Sequence, residues 1–189
     1  MTPEKIIIIT APSGSGKTTL VKRLLVACPQ LAFSISACTR LPRSGEVHGK
    51  DYYFYTEEQF KKLIDENAFI EWEMVYSGKY YGTLKSEISR IRNNNQYPLV
   101  DIDVQGAISV HKTYPKNSIS IFIEAPSLDV LRQRLIQRGT ETLQSLEERI
   151  EKAKLELKFA PQFNHVIINN DLETAAKDLI QVIEDFLTP

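Results

Sequence analysis

The first twenty-five residues restrict the fold more than any other part of the chain. An apolar run, Ile6 to Ile9, leads into Ala11-Pro12-Ser13-Gly14-Ser15-Gly16-Lys17-Thr18, and Leu20, Val21, Leu24 and Leu25 then recur at helical spacing. A buried strand therefore hands the chain to a glycine-rich turn, and the turn hands it to a helix. Gly14 and Gly16 tolerate backbone angles that a Cβ would forbid, so the turn's amides can wrap an anion. The following helix aims its positive N-terminal end at that anion. Lys17 supplies a point charge for β- and γ-phosphate oxygens, and Thr18 a hydroxyl for the Mg²⁺ that accompanies a nucleoside triphosphate. Residues 11–18 are thus the expected phosphate-binding loop. Ala11 stands where such loops carry their first glycine, which is tolerable if its φ is negative.

Composition narrows the class further. The chain has 189 residues, 42% of them hydrophobic, enough for one compact domain with mobile insertions. Lys and Arg number 23 against 24 Asp and Glu, so no overall basic field points to nucleic acid. Cys28 and Cys38 show no metal or redox spacing and read as free thiols of a reducing cytoplasm. The start Met-Thr-Pro-Glu-Lys lacks the apolar stretch of a signal peptide or membrane span, so no membrane association is expected. His48, His111 and His165 are too scattered to suggest a histidine metal site.

Short β-branched runs alternate with helical patterns along the chain. Strands are expected at 6–10, 33–36, 99–103, 119–124 and 166–169, and helices at 17–27, 104–112, 127–137, 144–160 and 172–187. In the last, Leu172, Ala176, Leu179, Ile180 and Ile183 share one stripe behind the potential cap Asp171. Alternation of this kind predicts a three-layer α/β domain with a parallel sheet and ligands at the carboxyl edge of its strands. Two regions break the pattern. Residues 37–83, with strands expected at 52–55 and 69–76 around a helix at 57–67, offer Arg40, Arg43, Tyr52 and Tyr81 as donors for a second phosphate. Residues 132–149 carry Arg134, Arg138 and Arg149, suited to a lid that clamps transferring phosphates.

Several motifs in order and spacing then resemble the guanylate kinase family. They are the phosphate loop, Ser36, Thr39-Arg40-x-Pro42-Arg43-x-Gly45-Glu46-x-x-Gly49-x-Asp51-Tyr52, Phe69-Ile70-Glu71-Trp72, Tyr80-Tyr81-Gly82-Thr83, Asp101-Ile102-Asp103-x-Gln105-Gly106, Arg138-Gly139-Thr140 and Asn169. The resemblance spans nearly the whole chain. It implies a P-loop nucleoside monophosphate kinase fold with a core at 1–33, 84–125 and 158–189, a GMP-binding insert at 34–83 and a lid at 126–157. It also implies ATP, Mg²⁺ and GMP as ligands. Ser36, Glu71, Thr83 and Asp103 would meet guanine, while Arg40, Arg43, Tyr52 and Tyr81 would hold the GMP phosphate. The lid arginines would engage ATP phosphates, and Asn169 would lie near the adenine. Ala37, Cys38 and Asn170 depart from the family pattern, and we expect them to shade affinity.

Phosphoryl transfer proceeds through a loose transition state whose charge spreads over peripheral oxygens, so the protein mainly positions reactants and neutralises charge. Lys17, Mg²⁺ and the arginines suit that task. An ionised phosphate acceptor needs no strong general base, in keeping with the lack of an evident catalytic histidine or serine. On the expected strand 99–103, Asp101 and Asp103 would point to the same side. Asp101 would organise Mg²⁺ directly or through water, and Asp103 would reach the base. Two alternatives remain at this stage: a non-catalytic guanylate kinase-like module that holds a protein segment, and a P-loop kinase for another acceptor. The intact Gly16-Lys17-Thr18 disfavours the first, and Glu71 together with Asp103 disfavours the second.

Overall fold

The computed structural model describes residues 5–137 and 143–188. From the N-terminus the elements are β1 (Ile6–Thr10), α1 (Lys17–Ala27), β2 (Leu31–Phe33), β3 (Ala37–Cys38), β4 (Tyr53–Phe54), α2 (Glu57–Asp65), β5 (Phe69–Tyr76) and β6 (Lys79–Leu84). There follow α3 (Lys85–Asn93), β7 (Tyr97–Asp101), α4 (Val104–Thr113), β8 (Ser118–Glu124), α5 (Leu128–Gln137), α6 (Leu143–Leu157), a 3₁₀ turn at Ala160–Gln162, β9 (His165–Ile168) and α7 (Leu172–Leu187).

The main sheet has the order β2-β7-β1-β8-β9, and each pairing in it is parallel. Its centre is β1, whose isoleucines are buried on both faces as a parallel strand requires. Ile7 and Ile9 pack with Leu20, Leu24, Leu179 and Ile183, so α1 and α7 cover one face. Ile6 and Ile8 pack with Ile88, Val104, Val110 and Phe122 on the other, under α3 and α4. Burying each such isoleucine contributes about 1.5–3 kcal/mol. The predicted three-layer arrangement is what forms, and α7 begins at Asp171, whose side chain accepts from the Thr174 amide at 2.9 Å.

A second sheet, β4-β3-β6-β5, lies within residues 37–84. It packs on α2 through Phe60, which is fully buried and stacks on Phe69 with ring centroids 4.5 Å apart. The capping box of Thr56 and Gln59 starts α2. Buried Glu87 of α3 ties this sheet to the core: it accepts from the Ile35 amide at 3.0 Å, from the Tyr53 hydroxyl at 2.9 Å and from two Arg90 nitrogens at 2.8 Å each. A separate cluster of Leu131, Leu135, Leu146, Ile150 and Ala153 joins α5 to α6.

Several boundaries differ from those read in the sequence. The strand expected at 33–36 is β2, two residues earlier, because the Ser34 amide ends the ladder on Leu99 and the Ile35 amide turns to Glu87. The strand expected at 99–103 runs from Tyr97 to Asp101 and admits Pro98, a residue that argues against a central strand. Asp103 is therefore not on the strand but caps α4, accepting from the Gly106 amide at 2.7 Å. The helix expected at 57–67 stops at Asp65, since Asn67 takes a left-handed φ of 53°. The helix expected at 144–160 ends at Leu157, and the last strand begins at His165.

Trp72, the single tryptophan, lies on β5 and reports on the second sheet. Phe60→Ala should destabilise that sheet by about 3–5 kcal/mol, seen as an earlier urea transition in Trp72 fluorescence. An unchanged midpoint would mean that Phe60 does not hold the sheet together.

Candidate active site

A cavity of about 870 Å³ opens at the carboxyl edge of β1 and β7. The phosphate loop, the end of β7, the inner face of the second sheet and one side of α6 line it. Of the residues expected from the sequence, Ala11, Pro12, Ser13, Gly14, Gly16, Lys17, Thr18, Ser36, Tyr52, Glu71, Tyr81, Asp101, Asp103 and Arg149 meet there. Arg138 lies outside the described residues, as do Gly139 and Thr140.

The loop has the backbone that its glycines permit. Gly14 and Gly16 take φ of 95° and 89°, and Gly16 leads directly into α1. Ala11 is not among the positive-φ residues, so the missing first glycine costs no strain. A Cβ on Gly16 would strike the Asn169 amide nitrogen. Buried Asn169 donates that nitrogen to the Ser15 carbonyl at 2.7 Å. It therefore braces the loop from behind and is not among the residues lining the cavity, a task the adenine assignment did not anticipate. Arg134 shares this work, donating to the carbonyls of Asn169 at 2.9 Å and Ser15 at 3.5 Å. On the cleft side Lys17 pairs with Asp101, and Arg149 of α6 reaches the Ser13 hydroxyl at 2.8 Å.

On the second sheet, Arg40 and Glu46 form a two-bonded fork at 2.6 and 2.7 Å, and the guanidinium lies 4.6 Å from the centre of the Tyr52 ring. The Arg40 bond, with the Arg43 amide, pulls the Glu46 carboxyl down to about 2. Glu46 thus holds Arg40 in place beside the cavity. Arg43 contributes its backbone amide to Glu46 at 2.8 Å, while the residue itself is exposed and does not line the cavity. Glu46 stands inside the Arg40–Tyr52 motif, but a half-buried loop carboxylate has no pattern of its own that marks such a role.

Deeper in the cavity, lining Glu71 faces Thr83 across the β5–β6 register; buried Thr83 is not itself a lining residue, and its hydroxyl donates to Glu71 Oε1 at 2.7 Å. Burial pushes the Glu71 carboxyl up to about 7, moderated by the Thr83 bond and reinforced by the nearby Asp103 charge. Two lining carboxylates were not anticipated. Glu73 is pushed to about 7, first by its contact with the Asp103 carboxyl and then by burial. Burial also raises Glu156 of α6.

Comparison with known proteins assigns the family. The guanylate kinase family profile matches residues 3–186. The chain belongs to the guanylate kinase family. Curated guanylate kinases from Bacteroides fragilis, Porphyromonas gingivalis and Salinibacter ruber are 47%, 44% and 40% identical to it. The alignments cover 97%, 97% and 100% of this chain and 90%, 98% and 100% of those proteins. The crystal structure of guanylate kinase from Anaplasma phagocytophilum aligns with a TM-score of 0.78 at 27% identity, covering 100% of this chain and 89% of that one. A shikimate kinase from Bacteroides thetaiotaomicron, at 18% identity and a TM-score of 0.52 over 95% of this chain and 98% of that one, shares the fold alone. The family's P-loop kinase fold is thus the fold of this chain. Among the described residues no helix is long and apolar enough to cross a membrane.

The Glu71 environment has a thermodynamic consequence. Its folded pKa of about 7 lies above the ordinary carboxylate range, so between roughly pH 4 and 7 the native state holds a proton that the unfolded chain releases. The carboxyl's contribution to stability therefore declines as pH rises through that window. Glu71→Gln, which cannot ionise, should gain in Tm relative to the parent protein on going from pH 5 to pH 8. A pH-independent difference between the two melting curves would contradict the raised pKa.

Proposed function

We propose that this chain is a working guanylate kinase, transferring the γ-phosphate of ATP to GMP, and also to dGMP, by direct in-line attack to give ADP and GDP. The observation that carries this reading is the occupancy of one cleft by two complementary ends. A glycine-rich phosphate loop with Lys17 forms one end, and a buried Glu71–Thr83 pair with Asp103 beside it forms the other. In this reading the core comprises 1–33, 84–125 and 158–189, the second sheet belongs to an acceptor-binding insert at 34–83, and α5 and α6 belong to a lid at 126–157. The apolar cluster of Leu131, Leu135, Leu146, Ile150 and Ala153 joins α5 to α6 within that lid.

The loop amides and the α1 N-terminus receive the ATP phosphates, and Lys17 neutralises charge that develops between donor and acceptor. Arg149 reaches the same place from α6, and in this reading Arg138 also engages the ATP phosphates. Arg134 supports the loop through its carbonyls. The acceptor phosphate binds beside Arg40, Tyr52 and Tyr81, with Arg43 swinging in from the surface. Ser36, Glu71, Thr83 and Asp103 hold the base. Mg²⁺ bound with a nucleotide keeps several waters and needs only one or two protein oxygens. The residues suit it: Thr18 and Asp101 both line the cavity at the loop, and among the described residues there is no larger cluster that would form a cage. When bound, Mg²⁺ would offset the negative charge of the transferring phosphoryl group. Buried free Cys28 and Cys38 are in keeping with a reducing, cytoplasmic setting.

Guanine offers N1–H and a 2-amino group as adjacent donors, which ionised Glu71 can accept together. Adenine offers neither. Because polar groups left unpaired in a desolvated site cost more than a poor shape fit, discrimination of roughly 10⁴ is attainable.

Two substitutions test the two ends. Lys17→Met should lower kcat by at least about 10² with the melting temperature preserved, as for removal of a charge-stabilising donor, and near-normal turnover would sink the phosphate-loop assignment. Glu71→Ala should lower kcat/KM for GMP far more than for IMP or AMP. An equal loss with all three acceptors would make Glu71 a residue of the fold and not of base recognition.

A further inference from the structure

Glu73 has no part in the roles assigned above. It sits two residues from Glu71 on β5, so both carboxylates leave the same face of the second sheet, and both line the cleft. Its Oε2 is buried, and among the described residues no donor reaches it. Its neighbour is the Asp103 carboxyl. Asp103 in turn shares the space over Gly106 with Glu71: a Cβ built on Gly106 would stand 3.0 Å from Glu71 Oε2 and 3.1 Å from Asp103 Oδ1. The carboxylates therefore run in a row, Glu71, Asp103, Glu73. Thr83 serves one end of this row, and the Gly106 amide occupies one oxygen of its middle member. At the other end two acid groups meet, and among the described residues no donor reaches the buried Glu73 oxygen there.

Adjacent carboxylates without a donor repel, and a buried acceptor left unpaired is costly. A ligand group with two N–H bonds on one nitrogen resolves both problems at once, because it can give one hydrogen to each acid. We infer that Glu73 is a further base-reading residue, accepting with Asp103 the two hydrogens of an exocyclic amine at C2 of the acceptor purine. This rests on the acceptor assignment made above and extends it. Glu71 reads N1–H and shares the near amine hydrogen with Asp103, while the far amine hydrogen goes to Glu73. An acceptor purine without that amine leaves Glu73 facing Asp103 unrelieved.

Steady-state kinetics with GMP, dGMP and IMP test the inference, since IMP lacks only the amine and dGMP only the ribose 2′-hydroxyl. Glu73→Ala should raise KM for GMP and dGMP about tenfold or more, the effect of losing a hydrogen bond to a charged group. IMP should be unaffected or bind better, and kcat should stay within about twofold for each. Glu73→Gln keeps an acceptor oxygen at the same reach and should retain a preference for GMP over IMP nearer that of the parent protein. A Glu73→Ala enzyme with an undiminished preference for GMP over IMP would overturn the inference, and so would an equal rise in KM for all three acceptors. A loss with GMP that spares dGMP would move the contact to the ribose and likewise overturn it. If the parent protein itself failed to prefer GMP over IMP, the base-reading assignment as a whole would fall, and Glu73 with it.

Discussion

The ion pair between Lys17 and Asp101 joins the two parts of the molecule on which the others depend. Lys17 opens α1 immediately after the left-handed Gly16, and Asp101 closes β7 in register with Ile9 of β1. A loop built to surround phosphate concentrates amides and a cation at one point. A neighbouring strand that ends in a carboxylate gives that cation a partner before nucleotide arrives. The position of Asp101 follows from the sheet order, because β7 lies directly beside β1. Two residues later, Asp103 turns the chain into α4 and stands against Glu71 and Glu73 of the second sheet. In the proposed reading, two residues of backbone thus separate the place for transferring phosphate from the place for the base.

In the proposed reading, the acceptor end works through the cost of burying acids. Glu71 and Glu73 are each pushed to about 7, one mainly by burial and the other mainly by its acidic neighbour. Such groups stay poorly satisfied until donors are supplied from outside, and a base lacking those donors makes matters worse. Selectivity then arises from the penalty on wrong partners as much as from attraction to the right one. The Arg40–Glu46 fork plays a different part, holding a guanidinium over Tyr52, which in the proposed reading leaves little ordering to be done when a phosphate binds.

Much of this was legible in the sequence because it depends on local pattern. Strand, loop and helix from Ile6 to Ala27 follow from apolar runs and two glycines, and the α7 stripe from its helical spacing. What escaped depends on tertiary partners. Helix α3 is mostly polar and shows only Ile88, Ile91 and the ion-paired Glu87 to the interior, so no strong stripe announces it. Pro98 disguises β7. Asp103 reads equally well as a strand residue or a helix cap, and only the point at which β7 ends decides between them. The bracing role of Asn169 is invisible in the sequence, because nothing there shows that the Ser15 carbonyl, 154 residues away, accepts from its amide. Glu73 alternates with Glu71 on β5, a signal that was present but indistinguishable from ordinary strand patterning until Asp103 was seen beside it.

The central claim is that one cleft brings a phosphate loop to a site whose acids read guanine. It is tested most directly by measuring ADP formation from ATP and Mg²⁺ by the unaltered protein with GMP, AMP and CMP in turn. The account predicts rapid turnover of GMP and a kcat/KM for AMP and CMP lower by roughly 10⁴. Comparable turnover of all three, or none with GMP, would contradict it.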